Sequence, residues 1–307
     1  MRTSAFIRII IYVVVAVICV SLLVVGLVGG SFRGLRGINL GLFSYNLGND
    51  EGYTASSSGE IDLDCTAMRI DWISGSVQIE TYGGNTIKFY EESNTTDPDL
   101  QMRYKYDNGT LNIHYARTGN FNLGVFDNVI KKLYIQVPAN TSLVVLSVDA
   151  VSAPIKINGL DAVNLKVDTT SGNVNIAHMS SDTIDINTVS GKIDLSDVKA
   201  NYINLDSVSG NHNIKGEVER ISSNTTSGEV NIICTKMLRE ADLDTVSGSM
   251  TIYLPENDGF KVNWDSVSGK FNCDFPITYQ NSSATYGNGS ASIKMNTVSG
   301  RMSIKQI

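Results

Sequence analysis

Asp168, Asp206, Asp244 and Asp265 each stand three residues ahead of a Ser-Gly pair, and Asn187 and Asn296 do the same. A carboxylate near a hydroxyl can serve two kinds of chemistry. With a histidine in reach, the serine becomes a nucleophile. With several carboxylates stacked together, a divalent cation can be held. Spacing decides how these residues meet. Aligned on the serine, the copies fall at Ser152, Ser171, Ser190, Ser209, Ser227, Ser247, Ser268 and Ser299, with successive spacings of 19, 19, 19, 18, 20, 21 and 31. The glycines that follow are Gly172, Gly191, Gly210, Gly228, Gly248, Gly269 and Gly300, and Ala153 replaces glycine in the first copy. An isolated earlier copy, "DWISG", ends at Gly75.

The flanking columns show what must position these pentads. Four residues before the serine lie Val148, Val167, Ile186 and Leu205; five after it lie Ile157, Ile176, Leu195 and Ile214. Polar residues such as Lys156, Asn175, Asp194 and Asn213 alternate with them. Alternation on both sides of a Ser-Gly corner predicts two short strands per repeat, each with one buried face. No repeat of this size buries that face alone, so like must stack on like, about 4.8 Å apart. A nineteen-residue unit leaves no room for a crossover helix and is too short for a propeller blade. The fold class that follows is all-β: a single β-solenoid over 59–307, with regular rungs over 146–307. Residues 59–145 alternate as strands ("SVQIETY", "TIKFYEE", "TLNIHYA"), either as degenerate rungs or as a sheet that caps the stack.

On this geometry the pentad is a corner. Glycine is expected to supply positive φ at the bend. Asp or Asn is expected to bond backbone amides two or three residues on, and small hydroxyls to fit the inside of the corner. The rival is a cation-binding aspartate column, since like charges stacked at strand spacing repel. Asn187 and Asn296 already dilute that charge, and the G-G-x-G-x-D calcium signature is absent. No metal and no cofactor is expected.

The search for catalysis is short. The only histidines are His114, His178 and His212, and His212 falls in an apolar column as a half-buried residue. No GxSxG, HExxH, P-loop or GxGxxG occurs. Cys65, Cys234 and Cys273 read as buried single thiols, with no CxxC or zinc spacing. A formal charge of −7 gives no basis for a nucleic-acid partner. Two segments interrupt the period: Ala116–Asn128, with Phe121 and Phe126, and Phe275–Ser290, with Tyr279 and Tyr286. These four aromatics are the candidate partner contacts, because binding residues concentrate on such insertions.

The N-terminus sets the compartment. Residues 9–28, "IIIYVVVAVICVSLLVVGLV", form a charge-free run long enough to span a bilayer as one transmembrane helix. The exit "GLVGGS" is a poor cleavage site, which favours an uncleaved anchor over a signal peptide. The expectation is a cytoplasmic tail over 1–8, a juxtamembrane linker over 29–58 and an extracytoplasmic C-terminal domain in the cell envelope.

An anchor, "KKLYIQVP", and serial "[DN]-[ST]-V-S-G-x-[VI]-x-[IL]" repeats together resemble the bacterial putative-adhesin family of β-solenoid domains. The resemblance covers roughly Gly59 to Ile307. It implies a cell-surface or envelope solenoid and carries over no catalytic residue. The function expected is a non-catalytic binding or scaffolding surface whose partners are the membrane and a cell-surface glycan, cell wall or envelope protein. Alternatives are a polysaccharide-processing enzyme on a solenoid and an accessory component of an envelope-stress system.

Overall fold

The computed structural model of the protein describes residues 51–62, 64–117 and 129–307, and these form an all-β unit. The tail 1–8, the span 9–28, most of the 29–58 segment, Phe121 and Phe126 lie outside the described residues. Chain pairing is already present at Thr54–Ala55, which lies antiparallel on Arg103–Asp107.

Two-strand rungs stack as the period requires. Strands before each Ser-Gly corner form a first wall and strands after it a second. Asp161–Thr169 pairs in parallel with Ser142–Ala150 on one side and Ser180–Thr188 on the other. Across the corner, Val174–Ala177 pairs in parallel with Ile155–Asn158 and with Ile193–Ser196. The alternating apolar columns meet between the walls as one core, with Val167, Ile186, Leu205, Leu243, Ile293 and Ile304 all 0–1% exposed. Burial of this face at about 25 cal/mol per Å² drives stacking that no single rung supports.

The first surprise is rung order. Glu240–Ser247 pairs not with the next rung in sequence but with Ala291–Ser299, and Gly259–Ser266 lies beyond it. The second wall agrees: Met250–Leu254 pairs with Arg301–Gln306, which pairs with Lys270–Cys273. The rungs named by their corner serines therefore stack in the order 247, 299, 268 rather than in chain order. The cause is the Phe275–Ser290 segment. It is a β-hairpin rather than a loop: Thr278–Gln280 pairs with Ser283–Gly287, which lies antiparallel on Gly259–Ser266 and turns the chain back into the vacant place. The other end makes the same move. Ala67–Trp72 sits in parallel between Thr110–His114 and Ser142–Ala150, while Ile87–Ser93 and Arg103–Asp107 lie antiparallel on Lys131–Pro138 and Thr110–His114.

The corner works differently from expectation. Gly172, Gly191, Gly210, Gly248 and Gly300 are absent from the positive-φ positions. They are needed because each lies on the carbonyl of the rung beneath. A Cβ on Gly191 would stand 2.1 Å from Gly172 O, one on Gly248 1.9 Å from Gly228 O, and one on Gly300 1.9 Å from Gly248 O. At some corners the turn is fastened by the hydroxyl two residues before the serine, whereas Thr245 Oγ1 and Thr297 Oγ1 make no such bond. Thr169 Oγ1 accepts from Gly172 N at 3.1 Å, and Thr188 Oγ1 from Gly191 N at 2.9 Å. That role was expected of Asp and Asn, whose side chains point sideways instead.

Candidate functional site

Outward on the first wall, the Asp/Asn column forms one continuous ladder. Its spatial order is His114, Asp71, Asp149, Asp168, Asn187, Asp206, Asn224, Asp244, Asn296 and Asp265. From Asp168 onward, acid and amide alternate without exception. In sequence order Asp265 would follow Asp244 and set two carboxylates side by side, and the exchanged rung places Asn296 between them. Each amide donates to the acid before it: Asn187 to Asp168 at 2.8 Å, Asn224 to Asp206 at 2.8 Å, and Asn296 to Asp244 at 2.6 Å. A donor between acceptors removes the repulsion that strand spacing would otherwise impose.

At the other end the alternation fails. Asp71, Asp149 and Asp168 are successive carboxylates. His114 Nε2 lies 3.1 Å from Asp71, and Lys166 Nζ 2.6 Å from Asp168. Asp149 has neither partner. Burial, followed by the neighbouring charges of Asp71 and Asp168, pushes its carboxyl up to about 6. The sign follows directly. The folded state holds this proton more tightly than the unfolded chain, so stability at this site is greatest in acid and falls as pH rises from about 4 to about 6. Asp149→Asn is therefore expected to stabilise the protein at pH 7 by about 1 kcal/mol, allowing for solvent screening, and to change nothing near pH 4. Paired urea titrations of the two proteins at both pH values check this; an equal effect at both would refute it.

The remaining chemistry-bearing residues are absorbed by structure. His212 is fully buried rather than half-buried. Its ring bridges Ser223 Oγ and Ser207 Oγ, each at 2.8 Å, and burial pulls its pKa down to about 4. His178 occupies a positive-φ turn (51°) beside Asp197. Cys65 and Cys234 are buried, and Cys273, expected to be buried, is half-exposed on the terminal strand. Among the described residues no group of three or more His, Cys, Asp or Glu side chains is arranged to hold a metal.

Of the partner-contact candidates, Tyr286 packs into the closing hairpin, 4.9 Å from Phe275 and 5.5 Å from Phe260 between ring centroids. Tyr279 is 60% exposed and meets Trp264 edge-on at 6.0 Å. Trp264 in turn stacks on Phe271 at 4.2 Å. Missing from the sequence-based set are Trp264, Phe271 and His114. The first two sit in inward columns and read there as ordinary core; His114 joins the ladder only through the exchanged rung.

Residues 65–305 match the Toastrack DUF4097 family, and the chain belongs to it. Similar solved structures include a putative cell adhesion protein from Clostridium sporogenes, at 15% identity over 83% of this chain and 100% of that one, with a TM-score of 0.24. A putative adhesin from Bacteroides fragilis is 17% identical over 81% and 96%, with a TM-score of 0.46. A putative lipid binding protein from Parabacteroides distasonis is 14% identical over 85% and 98%, with a TM-score of 0.49. No curated protein matches the chain.

Proposed function

We propose that the chain is a membrane-anchored, extracytoplasmic β-solenoid that serves as a non-catalytic binding or scaffolding surface of the adhesin-like kind. One observation carries the reading: two of the three histidines and the pentad acids Asp168, Asp206 and Asp244 are engaged in side-chain contacts within the stack. His212 is locked between two serines, His114 against Asp71, and the pentad acids in the amide ladder. What the stack presents outward is a periodic face of amides, hydroxyls and scattered charges, such as Asn175, Asp194, Asn213 and Asn231 at successive rungs. Such a face suits repeated weak contacts with an extended partner in the envelope.

The test uses the full-length chain with a C-terminal tag. Protease added to intact cells should remove the tag, and the purified chain should co-sediment with isolated cell-wall material. A tag protected in intact cells but cut after lysis would overturn the placement. Absence of sedimentation would overturn the surface role.

A further inference from the structure

We propose that the end of the stack at Lys270–Cys273 takes up one further strand from a partner, an extended polypeptide segment in which apolar residues alternate with polar ones and a carboxylate falls beside Lys270. The proposal deepens the surface reading above and rests on it, by naming where and how one partner docks.

The two walls end at different places. Beyond Gly259–Ser266 the first wall continues through Ser283–Gly287 to Thr278–Gln280. On the second wall Lys270–Cys273 pairs with Arg301–Gln306, and among the described residues no strand pairs with its other side. The first wall therefore overhangs the second by two strands. Lys270 N and Asp274 N bond back into the stack, to Gly300 O and Ile304 O. In a parallel ladder alternate residues face opposite neighbours, so the N–H and C=O groups of Phe271 and Cys273 point to the open edge. Unpaired edge groups of this kind are a template for a further strand.

The overhang supplies a roof. Val262, Ala284 and Tyr279 occupy matched positions on successive strands, so all three face inward. Val262 and Ala284 are buried, yet Tyr279 is 60% exposed, because no second-wall strand lies opposite it. Beneath it, Trp264 and Phe271 are only half-buried, unlike the equivalent residues one rung further in, Met295 and Met302, which are 0% exposed. On the other side of the rung end the position is already filled by Phe275, 3% exposed against Phe260. The place directly beside Lys270–Cys273 takes one strand that pairs along its 4 residues. Its inner lining of Trp264, Phe271 and Tyr279 selects apolar side chains on one face of the incoming strand. On the other face Lys270 is exposed with no ion pair among the described residues, beside Arg301, so it selects a carboxylate. Main-chain pairing supplies affinity and the alternating side chains supply specificity.

The test exploits tryptophan placement. The chain has 2 tryptophans, and Trp72 is 0% exposed, so a change in emission on binding reports Trp264. The probe is a synthetic acetylated hexapeptide, Thr-Val-Glu-Val-Thr-Val-amide, titrated into the purified full-length chain. A blue shift is expected. The same peptide N-methylated at every residue, which has no N–H left to donate on either edge, should bind at least about tenfold more weakly, the loss of one to two hydrogen bonds. Tyr279→Ala should weaken the unmodified peptide about fivefold without lowering the melting temperature. No shift up to millimolar peptide, equal binding of the methylated peptide, or unchanged affinity in Tyr279→Ala would overturn the proposal. Cell-wall sedimentation retained by the full-length chain while the peptide fails would remove the docking strand and leave the surface role standing; peptide binding without sedimentation would do the reverse.

Discussion

Gly248→Ala is expected to destabilise the protein by about 3 kcal/mol, although it adds a single methyl group at a corner with no positive φ. The methyl carbon would stand 1.9 Å from Gly228 O, and the next glycine up the stack, Gly300, rests on Gly248 O in the same way. The obstacle is backbone in a parallel ladder, which can yield only by separating two rungs and lengthening hydrogen bonds on both walls. Gly83→Ala is the control. No atom lies within 4 Å of a Cβ placed there, and its cost should stay within about 0.5 kcal/mol. Urea denaturation of both variants reads the contrast. Equal midpoints would show that the corner glycines are not required by close stacking.

Lys131→Met is expected to cost about 3–5 kcal/mol, because it strands a buried charge. The side chains of Lys131 and Glu91 are 0% and 2% exposed, with Nζ 2.7 Å from Oε2. That approach is an ion contact; the ammonium directs hydrogen bonds to the carbonyls of Leu100 and Tyr115. It also lies over the rings of Tyr115, at 4.4 Å, and Trp72, at 5.2 Å. Burial pushes the Lys131 ammonium below the ordinary lysine range, and Glu91 opposes that shift. Glu91 Oε1 meanwhile accepts from Met102 N at 2.9 Å, a bond that glutamine can keep. The double variant Lys131→Met, Glu91→Gln should therefore recover at least half of the loss. Thermal unfolding of the single and double variants measures this. A double variant no more stable than the single would show that the lysine acts through its packing rather than its charge.

The periodic part of this molecule was legible because stacking forces local pattern. Strand, corner and inward column repeat every rung, so Val167, Ile186 and Leu205 announce one another. The pentad reads as a corner, but the reasons for its residues do not show in the sequence. Glycine's tight fit against the carbonyl below and the sideways turn of Asp168 and Asn187 are relations between rungs, and a single pentad carries no trace of them. The exchange of the last two rungs is also a relation at a distance. Its signal was present in Asp244, Asp265 and Asn296, which alternate only when reordered, but reading it requires knowing that the side chains bond along the stack. The open end escaped for a related reason: Trp264 and Phe271 occupy core columns, and nothing in their own sequence shows that the opposite wall stops early.

The exchanged rung also governs when this end of the protein can form. In a simple solenoid each coil can add to the one before it as the chain is made. Here 259–273 cannot take its final place against 240–254, because 291–306 must lie between them. Premature docking of 259–273 is opposed by Asp244 meeting Asp265, and the late segment relieves that conflict with an amide. Residues 291–306 thus act as a keystone: they are made after the rungs on either side of them and must enter between those rungs to complete this part of the stack.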